Sequence, residues 1–171
     1  HHGLAGGAHI AVHRALQPHA GLGSGTQLGL AVARALAALY GIESDAPALA
    51  QSVGRARRSA IGTWTFDGGG LVVEGGRHRD GEECGPLIAR VIFPPAWRCV
   101  VAVPAGTAGI SGADEAAAFA ALPSPSSQEV ERVAHLVLMA LLPAAADGDI
   151  GTFGAALTQV QDITGRWFAP I

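Results

Sequence analysis

The 171-residue sequence contains no lysine, because all eleven of its basic residues are arginine. A Walker P-loop needs a lysine that reaches the β- and γ-phosphates of a nucleotide. A pyridoxal-phosphate enzyme needs a lysine that forms the Schiff base. Neither site can be built from these residues. Any anion bound by this chain must therefore be held by arginine side chains, backbone N–H groups and helix ends.

Cysteine and charged residues are also scarce. Cys84 and Cys99 lack the spacing of a metal site, and we expect both to be reduced thiols of a cytoplasmic protein. The net charge of −3 provides no global positive field, so we expect no nucleic-acid partner and no anionic membrane surface. We also expect no signal peptide and no transmembrane span. Hydrophobic residues make up 49% of the chain, which is enough for a folded core.

The hydrophobic pattern of the first half predicts two strands and two helices. Residues 8–14 alternate between apolar and polar positions, which favours a half-buried strand. A helix is predicted from Leu28 and ends at Gly41, and a second one follows Asp45 and runs to about Val53. Residues 54–70 are rich in glycine and polar residues, so we predict a loop or the start of a strand, followed by a short strand at 71–74.

The second half predicts more helix. Residues 87–93 are an apolar run and residues 98–103 read as a buried strand. We predict a short helix at 112–121, an amphipathic helix at 128–142 that is ended by Pro143, and a last helix from about 148 to 166. The apolar residues 167–171 carry no stop signal, and we expect on this ground that the chain is incomplete.

The first candidate site is the segment GLGSGTQ at 21–27, directly before a predicted helix. Glycines allow the backbone to approach a ligand closely. The helix that follows directs unpaired N–H groups and its positive dipole end to the same place, and Ser24 and Thr26 add hydroxyl donors. Together these groups favour an anion-binding loop. The alternative is a glycine-rich turn with a serine cap and no ligand.

The second candidate site is the segment from Arg55 to Ser59, which holds arginine at 55, 57 and 58. A guanidinium matches a phosphate or carboxylate through two parallel hydrogen bonds. A solvated basic turn is the alternative. Asp67 follows at the end of the same glycine-rich stretch. It is placed to hold a magnesium ion or orient a hydroxyl, or equally to serve as a turn residue before Gly68.

These segments resemble a known family. PHAGLGSGTQLGLAVARAL at 18–36 resembles the phosphate-binding motif of the GHMP superfamily of small-molecule kinases. The variant GLGSGTQ, together with GRARRSAIGTWTFDGGGLVVEGG at 54–76, is similar to the beta-ribofuranosylaminobenzene 5'-phosphate synthase branch of that superfamily. The segments HLVLMALLPA, TFGAAL and WFAP resemble the C-terminal part of the same branch.

The resemblance implies an α+β fold that is incomplete at both ends. Residues 1–95 would be part of the ribosomal-protein-like N-terminal βα domain, without its first strands. Residues 96–171 would be part of the ferredoxin-like C-terminal domain. Members of the superfamily often form homodimers, so a homodimer is expected here as well.

The resemblance also implies a reaction, a metal and site residues. The family transfers the phosphoribosyl group of phosphoribosyl pyrophosphate to 4-aminobenzoate or 4-hydroxybenzoate with release of pyrophosphate and CO2, in methanopterin biosynthesis. Mg2+ accompanies the sugar diphosphate. The catalytic residues would be Arg58, Ser59 and Asp67. The phosphate and pyrophosphate would be bound by Gly21, Gly23, Ser24, Gly25, Thr26, Gln27 and Arg55.

Two other functions stay open from the sequence. The first is an ATP-dependent GHMP kinase, whose base is often an aspartate in an SGxD-like segment. If residues 59–62 align there, Gly62 takes the place of that aspartate, which argues against a kinase. The second is a non-catalytic fragment. Trp64 or Phe66 would provide an apolar wall for the aromatic ring, or else fill the core.

Overall fold

The computed structural model of the chain describes residues 6–18, 20–76, 84–103 and 112–170. Helices and a two-stranded sheet make up the described part, which confirms the α+β prediction. The described residues form two units, of which the first ends at Arg90 and the second begins at Val91. The assignment of 1–95 and 96–171 to two family domains stays a prediction. None of the helices in the described ranges is both long and apolar enough to cross a membrane.

The elements of the first half come from short, separate segments of the chain. They are α1 at Ser24–Leu39, α2 at Ala46–Ser52, α3 at Ile61–Gly68, β1 at Leu71–Glu74 and β2 at Leu87–Val91. The two strands pair with each other. The predicted helices α1 and α2 and the predicted strand β1 are therefore confirmed.

Helices α1 and α2 end in the same glycine turn. Gly41 and Gly54 have left-handed φ angles of 65° and 67°. The residue after each glycine, Ile42 or Arg55, donates its backbone N–H to a carbonyl of the last helical turn, at 2.8 and 2.7 Å. This is the Schellman arrangement, in which glycine avoids the cost of a Cβ atom at positive φ. As a result, the backbone of Arg55 has a defined position directly after α2.

The core of the first unit is built mainly from small side chains. Phe66 of α3 packs against it, so this ring fills the core, which was one of the two interpretations from the sequence. Alanine at most of these positions allows the helices to approach each other closely. The buried members are Leu30, Ala33, Ala37, Leu49 and Ala50.

Two predictions for the first unit are wrong. Residues 61–68 were predicted as loop or the start of a strand, and they form α3. The helix is supported by tertiary contacts that composition does not reveal, including a hydrogen bond from the Ala60 N–H to the carboxylate of Glu74. Residues 8–14 alternate as a strand does, yet they are irregular and exposed, because no strand pairs with them in the described part of the chain.

The second unit is mostly helical. The predicted short helix and the predicted final helix are confirmed, although the latter extends through Phe168. Residues 98–103 were predicted as a buried strand, which is wrong: they form no ladder, and Val100 is 92% exposed. The helices are α4 at Gly112–Ala121, α5 at Ser127–Leu136, α6 at Leu142–Asp147 and α7 at Ile150–Phe168, with a π-helical turn at Val137–Leu141.

Pro143 does not end the amphipathic helix, contrary to the prediction. The π-helical turn precedes it, and the N–H of Leu142 bonds to the carbonyl of Val137 instead of the carbonyl one residue further on. A proline inside a regular α-helix loses one hydrogen bond and pushes against the carbonyl four residues earlier. The wider turn provides the extra residue that relieves this conflict. The chain therefore continues as helix through Pro143 into α6.

Thr63 of α3 provides a stability test. Its side chain is fully buried, and its hydroxyl has no hydrogen-bond partner among the described residues. Thr63→Val should therefore stabilise the protein by about 1 kcal/mol in urea unfolding, because a buried hydroxyl without a partner carries a desolvation cost. Thr65→Val is the matched control, since the Thr65 hydroxyl donates to the carbonyl of Ile61 at 2.8 Å. Equal effects of the two substitutions would contradict this explanation.

Candidate phosphate-binding site

Helix α1 begins without a capping side chain. Gly21 and Gly23 have φ angles of 71° and 66°, and the carbonyl of Gly23 accepts the N–H groups of Thr26 and Gln27, each at 3.0 Å. No side chain caps the helix, and no acidic residue lies in its first turn. The first N–H groups of a helix have no carbonyl partner of their own, and they carry the positive end of the dipole. The start of α1 is thus favourable for an anion.

Three other helices begin with a capping side chain, whereas α3 and α6, like α1, do not. Asp45, Ser126 and Asp149 each place an oxygen on a backbone N–H at the start of α2, α5 and α7. Such caps satisfy part of the unpaired donor set from within the protein. Hydrogen bonds from Thr152 lower the pKa of Asp149, as expected for a carboxylate that accepts from a helix start. The contrast shows that capping is common in this chain and is not used at α1.

Arg55 lies along the glycine face of α1. A Cβ atom at Gly25 would be 3.5 Å from Nη2 of Arg55, and one at Gly29 would be 3.8 Å from its Nε. The exposed guanidinium therefore lies in van der Waals range of these two glycine positions, beside the first turns of the helix. The structure brings together two predicted groups that are far apart in sequence, the glycine loop and the first arginine of the basic segment. A guanidinium group next to the first N–H groups of a helix is a suitable arrangement for binding a phosphate.

The start of α3 packs against the start of α1. The side-chain amide of Gln27 donates to the carbonyl of Gly62 at 2.9 Å. A Cβ atom at Gly62 would lie only 3.0 Å from Cγ2 of Thr26. The side chains of Thr26 and Gln27 are thus turned towards α3. They connect the two helix starts. Ser24 and Gly25 are the first residues of α1, where backbone N–H groups have no carbonyl partner within the helix.

The remaining basic residues lead into α3. Arg57 and Arg58 are exposed, and Arg57 approaches Gly54, where a Cβ atom would lie 3.9 Å from its Nη2. The hydroxyl of Ser59 accepts the N–H of Ile61 at 3.2 Å. The segment therefore ends in a fixed serine at the start of α3. This places Arg58 and Ser59 in the connection between α2 and α3, which also carries Arg55.

Asp67 is not brought to the glycine loop. It lies in the last turn of α3, roughly 7.5 Å along the helix axis from Gly62 at the usual rise per residue. Its carboxylate is 3.4 Å from Nη2 of Arg90. Nη1 of the same arginine donates to the carbonyl of Gly69 at 2.9 Å. The predicted catalytic role of Asp67 remains a prediction. In the structure this carboxylate helps to connect the end of α3 to β2.

The described residues do not provide a metal centre of their own. Among them, no group of three or more histidine, cysteine, aspartate or glutamate side chains could hold a metal ion. Asp67, the predicted candidate ligand, is paired with Arg90. Mg2+ commonly binds through substrate phosphates with few protein ligands. The residues present therefore fit a metal that is carried by a diphosphate substrate better than one held by the protein.

The two aromatic residues of α3 are held by the protein in different ways. The indole N–H of Trp64 donates to the carbonyl of Gly85 at 2.8 Å, which connects α3 to the residues just before β2. Phe66 packs in the core. A wall for an aromatic substrate at Phe66 is therefore not supported. For the half-buried Trp64, contact with such a ring remains a prediction.

Sequence reasoning did not identify two residues that shape the site. Gly62 was considered only as the replacement of a kinase aspartate, although its carbonyl and its missing side chain are what allow α1 and α3 to meet. Glu74 was identified only as the last residue of a predicted strand. Its carboxylate in fact accepts a hydrogen bond from the backbone N–H of Ala60 at the start of α3. A carboxylate at a strand end before two glycines is a weak signal in a single sequence, because such a residue is usually solvated.

The cysteines offer a chemical test of this region. Burial raises the pKa of Cys84, and the nearby carboxylates of Glu74 and Asp45 raise it further. The thiolate is the reactive form, so Cys84 should alkylate slowly at neutral pH. Cys99 is exposed and should react first. Peptide mapping after brief iodoacetamide treatment measures this order, and preferential labelling of Cys84 would contradict the described position of its thiol.

Comparison with known proteins finds a matching family and similar sequences. Residues 1–68 match the family described as GHMP kinases N terminal domain. This match supports the resemblance to the GHMP superfamily that the motif at 18–36 indicated.

The relatives narrow the identification further. The chain is 36% identical, over 90% of its length, to the beta-ribofuranosylphenol 5'-phosphate synthase of Methanothermobacter thermautotrophicus, and it covers 50% of that protein. It is 38% identical, over 92% of its length, to the synthase of the same name from Archaeoglobus fulgidus, of which it covers 53%. With the corresponding protein of Methanocaldococcus jannaschii it shares 33% identity over 84% of its length and covers 47% of that protein. The chain thus spans about half the length of these relatives, and the resemblance to this synthase branch is confirmed.

Proposed function

We propose that this chain carries the phosphate-binding part of an enzyme that transfers a phosphoribosyl group from phosphoribosyl pyrophosphate to an aromatic acid. The observation that carries the proposal is the position of Arg55 along Gly25 and Gly29, beside the uncapped start of α1. The guanidinium and the helix N–H groups provide the positive charge and the directed donors that a diphosphate needs. They do so without lysine, which the chain lacks.

The reaction is a glycosyl transfer with loss of CO2. The ring carbon that bears the carboxylate attacks C1 of the ribose, and the bond from C1 to the pyrophosphate oxygen breaks. The bond between the ring carbon and the carboxylate then breaks, and its electron pair restores the aromatic ring. The products are an aryl riboside phosphate, pyrophosphate and CO2, and no oxidant or added proton is required.

The protein contributes mainly by stabilising charge and by orienting the substrate. Negative charge grows on the pyrophosphate as it leaves, and fixed donors aimed at that position lower the barrier. We propose the start of α1 and Arg55 for this role, and Arg58 and Ser59 for binding the 5'-phosphate or the carboxylate of the acceptor. Mg2+ bound to the diphosphate would supply additional positive charge.

The name of the relatives guides the choice of acceptor. A ribofuranosylphenol product carries a ring hydroxyl, and by the balance of atoms its acceptor is a hydroxybenzoate. We therefore propose 4-hydroxybenzoate as the first acceptor to test, with 4-aminobenzoate as the second. The product would serve the synthesis of a methanopterin-type cofactor.

An ATP-dependent kinase is the less favourable proposal. If residues 59–62 align with the SGxD-like segment of the kinases, Gly62 takes the place of the aspartate base, and a Cβ atom at Gly62 would lie 3.0 Å from Cγ2 of Thr26. An acidic side chain at this position would therefore require Thr26 to shift by a few tenths of an ångström. A reaction in which an aryl carbon attacks has no need of such a base.

The test is an assay of the full-length protein with phosphoribosyl pyrophosphate, Mg2+ and carboxyl-labelled 4-hydroxybenzoate or 4-aminobenzoate. The proposal expects labelled CO2 and pyrophosphate in equal amounts, both dependent on the acceptor. Parallel samples receive ATP in place of the sugar diphosphate. Consumption of ATP without release of labelled CO2 would contradict the proposal and favour a kinase.

A further inference from the structure

The pairing of β1 with β2 continues at the end where β1 stops and β2 begins. Gly75 donates its N–H to the carbonyl of Pro86 at 2.8 Å, which extends the pairing beyond β1. A Cβ atom at Gly85 would lie 2.5 Å from the carbonyl oxygen of Gly76 and 3.4 Å from Oε2 of Glu74. Only glycine at position 85 thus leaves space for this backbone and for the Glu74 carboxylate beside it.

Two hydrogen bonds connect this hairpin end to α3. The carboxylate of Glu74 accepts the backbone N–H of Ala60, the capping position of the helix. The indole of Trp64, one turn later, donates to the carbonyl of Gly85 at 2.8 Å. Ala60 itself is only 1% exposed, so its N–H has little access to water as an alternative partner. A buried N–H that loses its acceptor is costly, and an ionised acceptor makes the stronger bond.

The start of α3 in turn determines the geometry of the candidate site. Ala60 directly follows Ser59, the last residue of the arginine segment 55–59. A shift of Ala60 would therefore move that segment. Two residues later, Gly62 accepts the amide of Gln27 and touches Thr26. Both the basic segment and the first turn of α1 are therefore positioned through the same short stretch of backbone.

We propose that Glu74 is a positioning residue for the phosphate site, which it sets by holding the Ala60 N–H at the start of α3. Glu74 does not touch the ligand. Its carboxylate oxygen fixes the backbone from which Arg58 and Ser59 project, and which keeps α3 in contact with α1. The inference rests on the proposed function in one respect, that the ligand is a sugar diphosphate. It adds to that proposal a residue that lies outside both the glycine loop and the arginine segment.

The test compares Glu74→Ala with Glu74→Gln in the full-length protein. The amide oxygen of glutamine can still accept the Ala60 N–H, so Glu74→Gln should keep the KM for phosphoribosyl pyrophosphate within about threefold. Glu74→Ala removes the acceptor and should raise this KM about tenfold or more, as expected from the loss of a charge-assisted hydrogen bond. The KM for the aromatic acid should change less. Glu43→Gln, an exposed glutamate of the same unit, is the control and should leave all constants unchanged.

The affinity for inorganic pyrophosphate, measured by isothermal titration, separates this inference from the proposed function. If the wild-type protein has no transferase activity yet binds pyrophosphate about tenfold more tightly than Glu74→Ala, the positioning role stands and the proposed reaction fails. Thermal melts establish that each variant is folded at the assay temperature. A folded Glu74→Ala variant with wild-type KM and wild-type pyrophosphate affinity would overturn the inference. So would a Glu74→Gln variant that is as impaired as Glu74→Ala.

Discussion

Replacing Arg55 with alanine in the full-length protein should lower kcat/KM for phosphoribosyl pyrophosphate at least tenfold. The guanidinium lies along Gly25 and Gly29, where it can form paired hydrogen bonds with a phosphate at the start of α1. Hydrogen bonds to charged groups contribute about 1.5–3 kcal/mol, which corresponds to roughly 10- to 100-fold in rate. Steady-state kinetics with the sugar diphosphate as the varied substrate measure the effect.

A lysine variant distinguishes the paired hydrogen bonds of the Arg55 guanidinium from the effect of its positive charge. Arg55→Lys keeps the charge but loses the planar fork, so its kcat/KM should fall between those of the wild type and Arg55→Ala. Arg132→Ala is the matched control, since Arg132 is exposed and bonds to Gln159 at 2.7 Å in the second unit. It should change kcat/KM by less than about twofold. Equal losses in Arg55→Ala and Arg132→Ala would show that the effect is not local to the site.

Gly62→Val should disrupt the contact between α1 and α3. Even a Cβ atom at this position would lie 3.0 Å from Cγ2 of Thr26, and valine adds two methyl groups to it. Overpacking of this kind costs about 1–3 kcal/mol in stability. The displaced helix start would also weaken the hydrogen bond from Gln27 to the Gly62 carbonyl, so we expect kcat/KM to fall at least tenfold. Urea unfolding and kinetics at a temperature where the variant is folded measure the two effects.

Two further variants make this prediction specific. Gly154 lies within α7, and a Cβ atom there would meet nothing within 4 Å, so Gly154→Val should be neutral or slightly stabilising. Thr26→Ser removes the methyl group that Gly62→Val approaches while keeping the hydroxyl. Combining it with Gly62→Val should therefore recover part of the lost stability and activity. A double variant no better than Gly62→Val alone would argue against steric contact with Thr26 as the cause.

The sequence was most informative where local chemistry determines the structure. Gly41 terminates α1, and Asp45 with Pro47 begins α2, because positive φ, side-chain caps and the fixed φ of proline act within a few residues. The glycine loop before α1 was likewise recognisable, since its proposed function depends on a missing Cβ and an uncapped helix start.

The sequence was less informative where distant residues determine the structure. Residues 8–14 and 98–103 have strand-like patterns, but a strand needs a partner, and none pairs with them within the described ranges. Conversely, α3 has a weak helical pattern and forms because Glu74, Thr26 and the core of the first unit support it. Pro143 was predicted to end its helix, and a π-helical turn, which no residue type specifies, allows the helix to continue.

The same division applies to the candidate site. Arg55 and the glycine loop were predicted as parts of the candidate site from their residue types, and the structure places them side by side. The roles of Gly62 and Glu74 depend on contacts between α1, α3 and the hairpin, which a single sequence does not specify. Asp67 was attractive as an acidic residue in a glycine-rich stretch, and only the structure reveals its pairing with Arg90.

The most direct test of the central claim is isothermal titration of the full-length protein with phosphoribosyl pyrophosphate and Mg2+, with ATP and Mg2+ as the comparison. The account predicts binding of the sugar diphosphate, weakened at least tenfold by Arg55→Ala, and no comparable binding of ATP. Binding of ATP by a protein that does not bind phosphoribosyl pyrophosphate would contradict it.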